Sequence, residues 1–226
     1  MCLIVLAWRV LPDLPLVVAA NRDEFHARPA ARAAFWQDQP GVLAGRDLEA
    51  LGTWMGVARS GRFAAVTNYR GAKEPRAAES RGALVVRFLN ENPSPEKYLA
   101  NISRQGKAYS GFNLLAADER ELWWFSNRDG APRRLEPGFY ALGNALLDDP
   151  GVDAAKARFV RTMEPGSAVD TLFAVLAEFR IVNPQYGTRC STVLLRGKDG
   201  RIRYAERGFS AEGAELETAQ YEFAAA

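Results

Sequence analysis

Histidine is nearly absent from this chain: His26 is the only one among 226 residues. A Ser-His-Asp triad would have to use it, and a metal site built from several histidines is excluded. Cysteine is scarce too. Cys2 and Cys190 are the whole complement, which is no disulfide framework and gives no sign of an oxidising compartment. An excess of either charge is also missing. Against 27 acidic residues stand 29 basic ones, a net of +2, so neither nucleic acid nor an anionic membrane is expected as a partner. Long apolar runs are lacking. The first stops at Arg9 and has no basic flank, too short for a signal-peptide core or a membrane span. The expectation is a cytoplasmic protein without stable membrane insertion.

What is present is ordinary globular material. Hydrophobic residues make up 48% and charged residues 25%, enough for one substantial core. No linker, repeat or low-complexity run interrupts residues 1–226, which are read as a single domain. Leu3 to Trp8 and Leu14 to Ala20 are apolar at odd and even positions alike, the pattern of strands covered on both faces. Short strands are expected at 42–45, 52–58 and 62–68, then helices at 80–90 and from Pro95 behind a Ser94 cap. Further strands are expected at 111–116, 121–126 and 139–143. A helix follows at 152–163, then a second one behind a capping box at Ser167 and Asp170. Strands at 188–195 and 201–206 close the series. Residues after Pro29 are read as irregular, and beyond Ala211 only Tyr221–Phe223 is expected to pair. Grouped strands and grouped helices argue for α+β with antiparallel sheets rather than a doubly wound parallel sheet.

One stretch concentrates chemistry. Asn21-Arg22-Asp23-Glu24-Phe25 follows directly on the second apolar strand. The turn at Leu11-Pro12-Asp13-Leu14 folds that strand back on the first, since Pro presets φ and Asp bonds nearby backbone. A turn centred on Pro12 and Asp13 sets Cys2 opposite Asp23; shifting the centre by half a residue makes it Glu24. Singly, Cys2 reads as a small buried hydrophobe and Asn21–Glu24 as a solvated turn. Their adjacency makes them a candidate site. Trimming of Met1 would leave Cys2 with a thiol and a free α-amine, whose reference pKa of about 7.7–8.0 suits a general base near neutrality. That is the N-terminal nucleophile arrangement, and it needs no histidine. Arg22 would favour the thiolate, and Asp23 or Glu24 would hold the amine by a charge-assisted bond.

Five motifs in order carry a resemblance. Met1-Cys2-Leu3, Asn21 to Phe25, Thr67-Asn68-Tyr69-Arg70, Gly111-Phe-Asn-Leu-Leu115 and Tyr186-Gly-Thr-Arg189 together resemble the NRDE family, the one named for transport and Golgi organisation protein 2. The resemblance implies similarity to cysteine N-terminal nucleophile hydrolases and hence an αββα sandwich, antiparallel sheets between helix layers. It further implies Cys2 as nucleophile, Arg22 and Asp23 in the loop after the first hairpin, with Asn21 and Glu24 taking those roles if the motif slides by one. Asn68 and Asn144 would be donors near an oxyanion, and Arg189 a late active-site arginine. The substrate would be a small amide, lactone or thioester, with no cofactor required. The family is also linked to haem trafficking, so the alternative is a non-catalytic carrier of haem or another apolar metabolite. His26, Cys2 and Cys190 are then the potential axial ligands. No CxxCH motif exists, so such haem would be non-covalent. His26 by itself reads as a surface residue.

Overall fold

A computed structural model describes residues 2–71, 79–164 and 168–226. Ser167, the expected helix cap, lies outside the described residues. Among them are thirteen strands and four α-helices. The fold is α+β with two antiparallel sheets, as the grouping of strands and helices predicts. No helix among the described residues is long and apolar enough to cross a membrane. The chain divides into two compact units.

The first unit comprises Met1–Arg28, Pro137–Gly143 and Leu147–Ala225. Its strands are β1 (Leu3–Leu11), β2 (Leu14–Phe25), β10 (Gly138–Leu142), β11 (Tyr186–Arg196), β12 (Arg201–Phe209) and β13 (Glu215–Ala224). They lie in the order β10-β1-β2-β11-β12-β13. Helices α3 (Asp153–Thr162) and α4 (Val169–Ala177) pack on one face. Odd-numbered residues point there because strand side chains alternate. Leu3, Val5, Val17, Ala19, Val193 and Leu195 meet Phe159, Leu172, Phe173 and Leu176. Even-numbered Ile4, Leu6, Trp8, Leu16, Val18 and Leu194 are buried as well, which explains why these strands lack alternation.

The hairpin register departs from the turn-centred expectation. Leu11 pairs with Leu14 across Pro12-Asp13, but Trp8 pairs with Leu16 and Leu3 with Asn21. Between them β1 carries a bulge, with Arg9 at φ +50°. One extra residue absorbed in one strand moves every later pair by one. Continued to the chain's start, the register sets Cys2 opposite Arg22, not Asp23 or Glu24. A count from the turn assumes regular pairing and so misses the bulge.

The second unit comprises Pro29–Glu136 and Asn144–Leu146, with Ala226. Its sheet follows chain order: β3 (Ala30–Phe35), β4 (Val42–Asp47), β5 (Met55–Ala58), β6 (Phe63–Asn68), β7 (Phe112–Ala117), β8 (Leu122–Ser126) and β9 (Asp129–Leu135). Helices α1 (Gly82–Asn90) and α2 (Pro95–Gln105) intervene between β6 and β7 and cover one face. Leu84, Val85, Phe88, Leu99 and Ile102 pack there on Val66, Phe112 and Leu114. The Ser94 hydroxyl caps α2, accepting from the Lys97 N–H at 3.3 Å, as its Ser-Pro-Glu opening predicts.

Four expectations from the sequence are corrected. Residues 30–35 are strand β3 rather than irregular, and Asp129–Leu135 is a strand with no anticipated counterpart. β13 covers ten residues where only Tyr221–Phe223 was expected. β2 continues through the charged cluster to Phe25, because β11 pairs with it along that whole length, Tyr186 facing Phe25.

Candidate functional site

Because Asn21–Glu24 is strand and not loop, its four side chains alternate between faces. Asn21 points to the helices. It is fully buried; its amide Nδ2 donates to the Leu176 carbonyl at 2.9 Å and its Oδ1 accepts from Ser191 Oγ at 2.6 Å. Expected as a binding residue, Asn21 lies in the core with both ends of its amide bonded to protein. Asp23 is 5% exposed, and its carboxylate accepts from Thr188 Oγ1 at 2.6 Å. Arg22 and Glu24 share the other face and approach to 3.8 Å.

Cys2 is half-buried at the end of β1, on the Arg22 face by register. Its Sγ–H donates to the Asp23 backbone carbonyl at 3.5 Å. Burial pushes the thiol above its ordinary range and the Asp23 charge adds to this, while the Asp23 backbone and the Arg22 cation pull it back. Arg22 thus acts in the anticipated direction but is outweighed, and the resting thiol is neutral. Cys190 pairs with Arg22 from the other side. Burial, and next the Glu206 charge, raise its thiol well above the ordinary range, and Arg22 again opposes. Both cysteines are free. With β2 between them their backbones stand about 9.5 Å apart, two strand spacings, beyond disulfide reach.

The Tyr186–Arg189 motif lies against this cluster, though more than 160 residues separate the two in sequence. A bulge between Thr188 and Cys190 interrupts the pairing of β11 with β2, which resumes with Thr188 opposite Asp23 and runs on to Tyr186 opposite Phe25. Thr188 Oγ1 accepts from the Ile181 N–H at 2.9 Å while it donates to Asp23. Tyr186 Oη donates to the Asp23 carbonyl at 3.4 Å, the same oxygen that takes the Cys2 thiol. Its ring meets Phe25 edge-on at 5.2 Å. A Cβ on Gly187 would stand 2.7 Å from the Ile181 carbonyl oxygen, so only glycine lets these backbones approach.

Arg189, expected in the active site, directs Nη1 to the carbonyls of Phe25, His26 and Arg28 at 3.0, 3.2 and 3.1 Å. It fastens the segment that follows β2. His26 is half-buried rather than a plain surface residue. Its backbone N–H donates to the Gln185 carbonyl, and its Nε2 lies 3.1 Å from the Asn183 carbonyl. Asn68 and Asn144 belong to the second unit and are joined there. The Asn144 amide Nδ2 donates to the Asn68 carbonyl at 2.7 Å, and the Arg70 N–H donates to the Asn144 carbonyl at 2.6 Å. Tyr186 and Thr188 are the residues that sequence reasoning passed over. Their motif was visible, but their contacts with Asp23 depend on β2–β11 pairing, which has no local signal.

Comparisons with known proteins agree with the motifs. The family described as Transport and Golgi organisation 2 matches residues 1–185. The Transport and Golgi organization protein 2 homolog of Bos taurus is 35% identical, with 92% of each chain covered. The Homo sapiens homolog is 33% identical with the same coverage. Among solved structures, a Caenorhabditis elegans N-acylethanolamine-hydrolyzing acid amidase ortholog superposes with a TM-score of 0.55 at 13% identity. The alignment covers 86% of this chain and 92% of that one, a likeness of fold alone.

Proposed function

This chain belongs to the Transport and Golgi organisation 2 family, and from that premise we propose that it is a cysteine N-terminal nucleophile hydrolase that cleaves a small amide, lactone or thioester through Cys2. The observation that carries the reading is the placement of Cys2: second residue of the chain, at the mouth of the first hairpin, its Sγ on the Asp23 carbonyl and Arg22 opposite it in the register. The fold likeness to an amide-hydrolysing enzyme makes amides the first class to test.

The chemistry requires removal of Met1. The freed α-amine then takes the thiol proton as Sγ attacks the substrate carbonyl. The C–S bond forms, the bond to the leaving group breaks, and the leaving group departs with the proton. Water, activated by the same amine, releases the acid. A neutral resting thiol suits this sequence, because the proton moves only as the attack begins. Arg22 stabilises the negative charge on sulfur during transfer.

For the alternative of a haem carrier, Cys2, Cys190 and His26 are the donors to test; His26 Nε2 lies 3.1 Å from the Asn183 carbonyl, a contact that iron ligation through that nitrogen would have to displace.

An electrophilic acylating probe tests the reading. Intact-mass analysis is expected to show a chain without Met1 that gains one acyl group, mapped to Cys2. Cys2→Ala is expected to abolish the gain at a stability cost of about 1–2 kcal/mol. Labelling that persists in Cys2→Ala, or a purified chain that retains Met1, would sink the proposal.

A further inference from the structure

Two fully buried side-chain atoms of the second unit have no hydrogen-bond partner among the described residues: Asn113 Oδ1 on β7 and Trp124 Nε1 on β8. Native interiors rarely leave such atoms unbonded, because each forfeits the hydrogen bond it had with water in the unfolded chain. Asn113 is also the middle residue of the Gly111–Leu115 motif, which the chemistry of Cys2 does not explain.

The two atoms belong to one face. Phe112 and Leu114 point to α1 and α2, so alternation turns Asn113 and Leu115 to the other side of the sheet. On β8, Ser126 pairs with Asn113 and Trp124 with Leu115. Trp124 is thus the diagonal neighbour of Asn113, a spacing of about 7–8 Å that long side chains work across. Trp123 Nε1 is unpartnered too, but its ring packs on the helix-side cluster. The Asn113 amide is fixed in orientation. Its Nδ2 donates to Thr67 Oγ1 at 3.2 Å and to the Ala145 carbonyl at 2.8 Å, and a flipped amide would set oxygen against that carbonyl.

Chemistry selects the occupant. Oδ1 needs a donor and Nε1–H needs an acceptor. A cation suits only the first and an anion only the second. The Arg133 guanidinium that stacks on the Trp124 ring at 4.6 Å has no atom that accepts. Met55, Ala65 and Leu115, on the same face, are buried and apolar. Ser126 Oγ gives its proton to the Phe112 carbonyl at 2.9 Å. Water alone among small groups donates and accepts from one atom, and buried water sits where polar groups lack other partners. We propose that Asn113 and Trp124 hold one internal water molecule, which donates to Oδ1 and accepts from Nε1–H. Asn113 then joins β6 through Thr67, the turn at Ala145, and β8 through the water. That turn carries Asn144, so the water site and Asn144 share one support.

NMR on the full chain, labelled with 15N, tests this. The Nε1–H signals of the five tryptophans are assigned through single substitutions to phenylalanine. Trp124 Nε1–H is expected to show a cross-peak to the water resonance with the sign of a long-lived complex. Trp36, whose Nε1 donates to the Ala44 carbonyl at 3.0 Å, is expected to show none. Asn113→Leu removes the acceptor at similar size and should abolish the Trp124 cross-peak. Ser126→Ala removes the hydroxyl nearest in the register, whose exchanging proton can imitate water, and should leave the cross-peak in place. Absence of the cross-peak in the unaltered chain overturns the proposal, and that measurement depends on no variant folding. A cross-peak that survives Asn113→Leu, or vanishes in Ser126→Ala, overturns it as well.

Discussion

Asn21 shows how the residues of one motif divide into different jobs. In sequence it is the first polar residue after an apolar strand and belongs with its charged neighbours. In the structure the strand continues, and alternation turns Asn21 into the helix-side core while Arg22 stays with Cys2. Its amide joins β2 to the last turn of α4 and to Ser191 on β11. Replacing it by Ala strips a donor from the buried Leu176 carbonyl and an acceptor from the Ser191 hydroxyl. Asn21→Ala is expected to cost about 2–4 kcal/mol, measured as a lower urea midpoint without a change in slope. A loss under half a kcal/mol would mean that water replaces both bonds and that Asn21 is no structural tie.

At the scale of elements, the missed strands share a position, although one edge strand, β10, was anticipated. β1, β2, β11 and β6 are interior, buried on both faces, and read directly as apolar runs. β3, β9 and β13 are all sheet edges. An edge strand pairs on one side only and tolerates charge and proline, which also protect it from pairing with other chains. β9 carries Pro132, Arg133 and Arg134, and β13 carries Glu215, Glu217 and Glu222. Composition therefore argues against strand at the places where an edge requires such residues. The helices were legible because their caps and apolar faces are local. Their mutual attachment was not. The Tyr98 hydroxyl on α2 donates to the Leu84 carbonyl on α1 at 2.6 Å, and its ring packs 5.2 Å from Phe88. Buried Arg62 stacks on Phe88 at 3.8 Å and donates to the Phe88 carbonyl in the last turn of α1 and to the Pro93 carbonyl in the connection to α2.

Burial holds the Tyr98 phenol protonated beyond its ordinary range. The folded state thus favours the neutral form. The sign follows: the stabilisation is complete below the ordinary phenol pKa of about 10 and is lost as pH rises above it. Tyr98→Phe is expected to cost about 1 kcal/mol at pH 7, and the gap to the unaltered chain should narrow at pH 10.5. Urea unfolding at both pH values measures this. Tyr109 and Tyr204 are raised by burial as well, so alkaline loss persists in part. A gap that stays constant between the two pH values would show that Tyr98 does not titrate with unfolding.

For the whole molecule, chain order and spatial order diverge. The first unit gathers three separate segments, and its central strand β2 pairs with β11 some 160 residues onward. The last strand, β13, covers the β12 edge through pairs from Arg201–Ala224 to Phe209–Glu215. Deleting residues 212–226 would bare the β12 backbone, whose inner positions Ile202 and Tyr204 are apolar. The truncated chain is expected to form soluble aggregates, seen by light scattering after size exclusion. Elution as a monodisperse monomer would show that β13 is dispensable as an edge guard.

The amino-acid sequence by itself determined the class, α+β with antiparallel sheets, the interior strands, the four helices and the first turn. Each of these depends on interactions within a few residues: periodicity, caps, turn chemistry. It also determined the family, since five short motifs in order need no coordinates. Only the tertiary structure decided which residues meet. The bulge at Arg9 moved Cys2 from Asp23 to Arg22, and alternation along β2 sent Asn21 and Arg22 to opposite faces. Pairing with β11 brought Tyr186 and Thr188 onto Asp23 and turned Arg189 toward the carbonyls after β2. Registers and long-range pairings are set by the packing of the whole sheet, where one residue of slip exchanges inside for outside, and no local stretch of sequence contains that information.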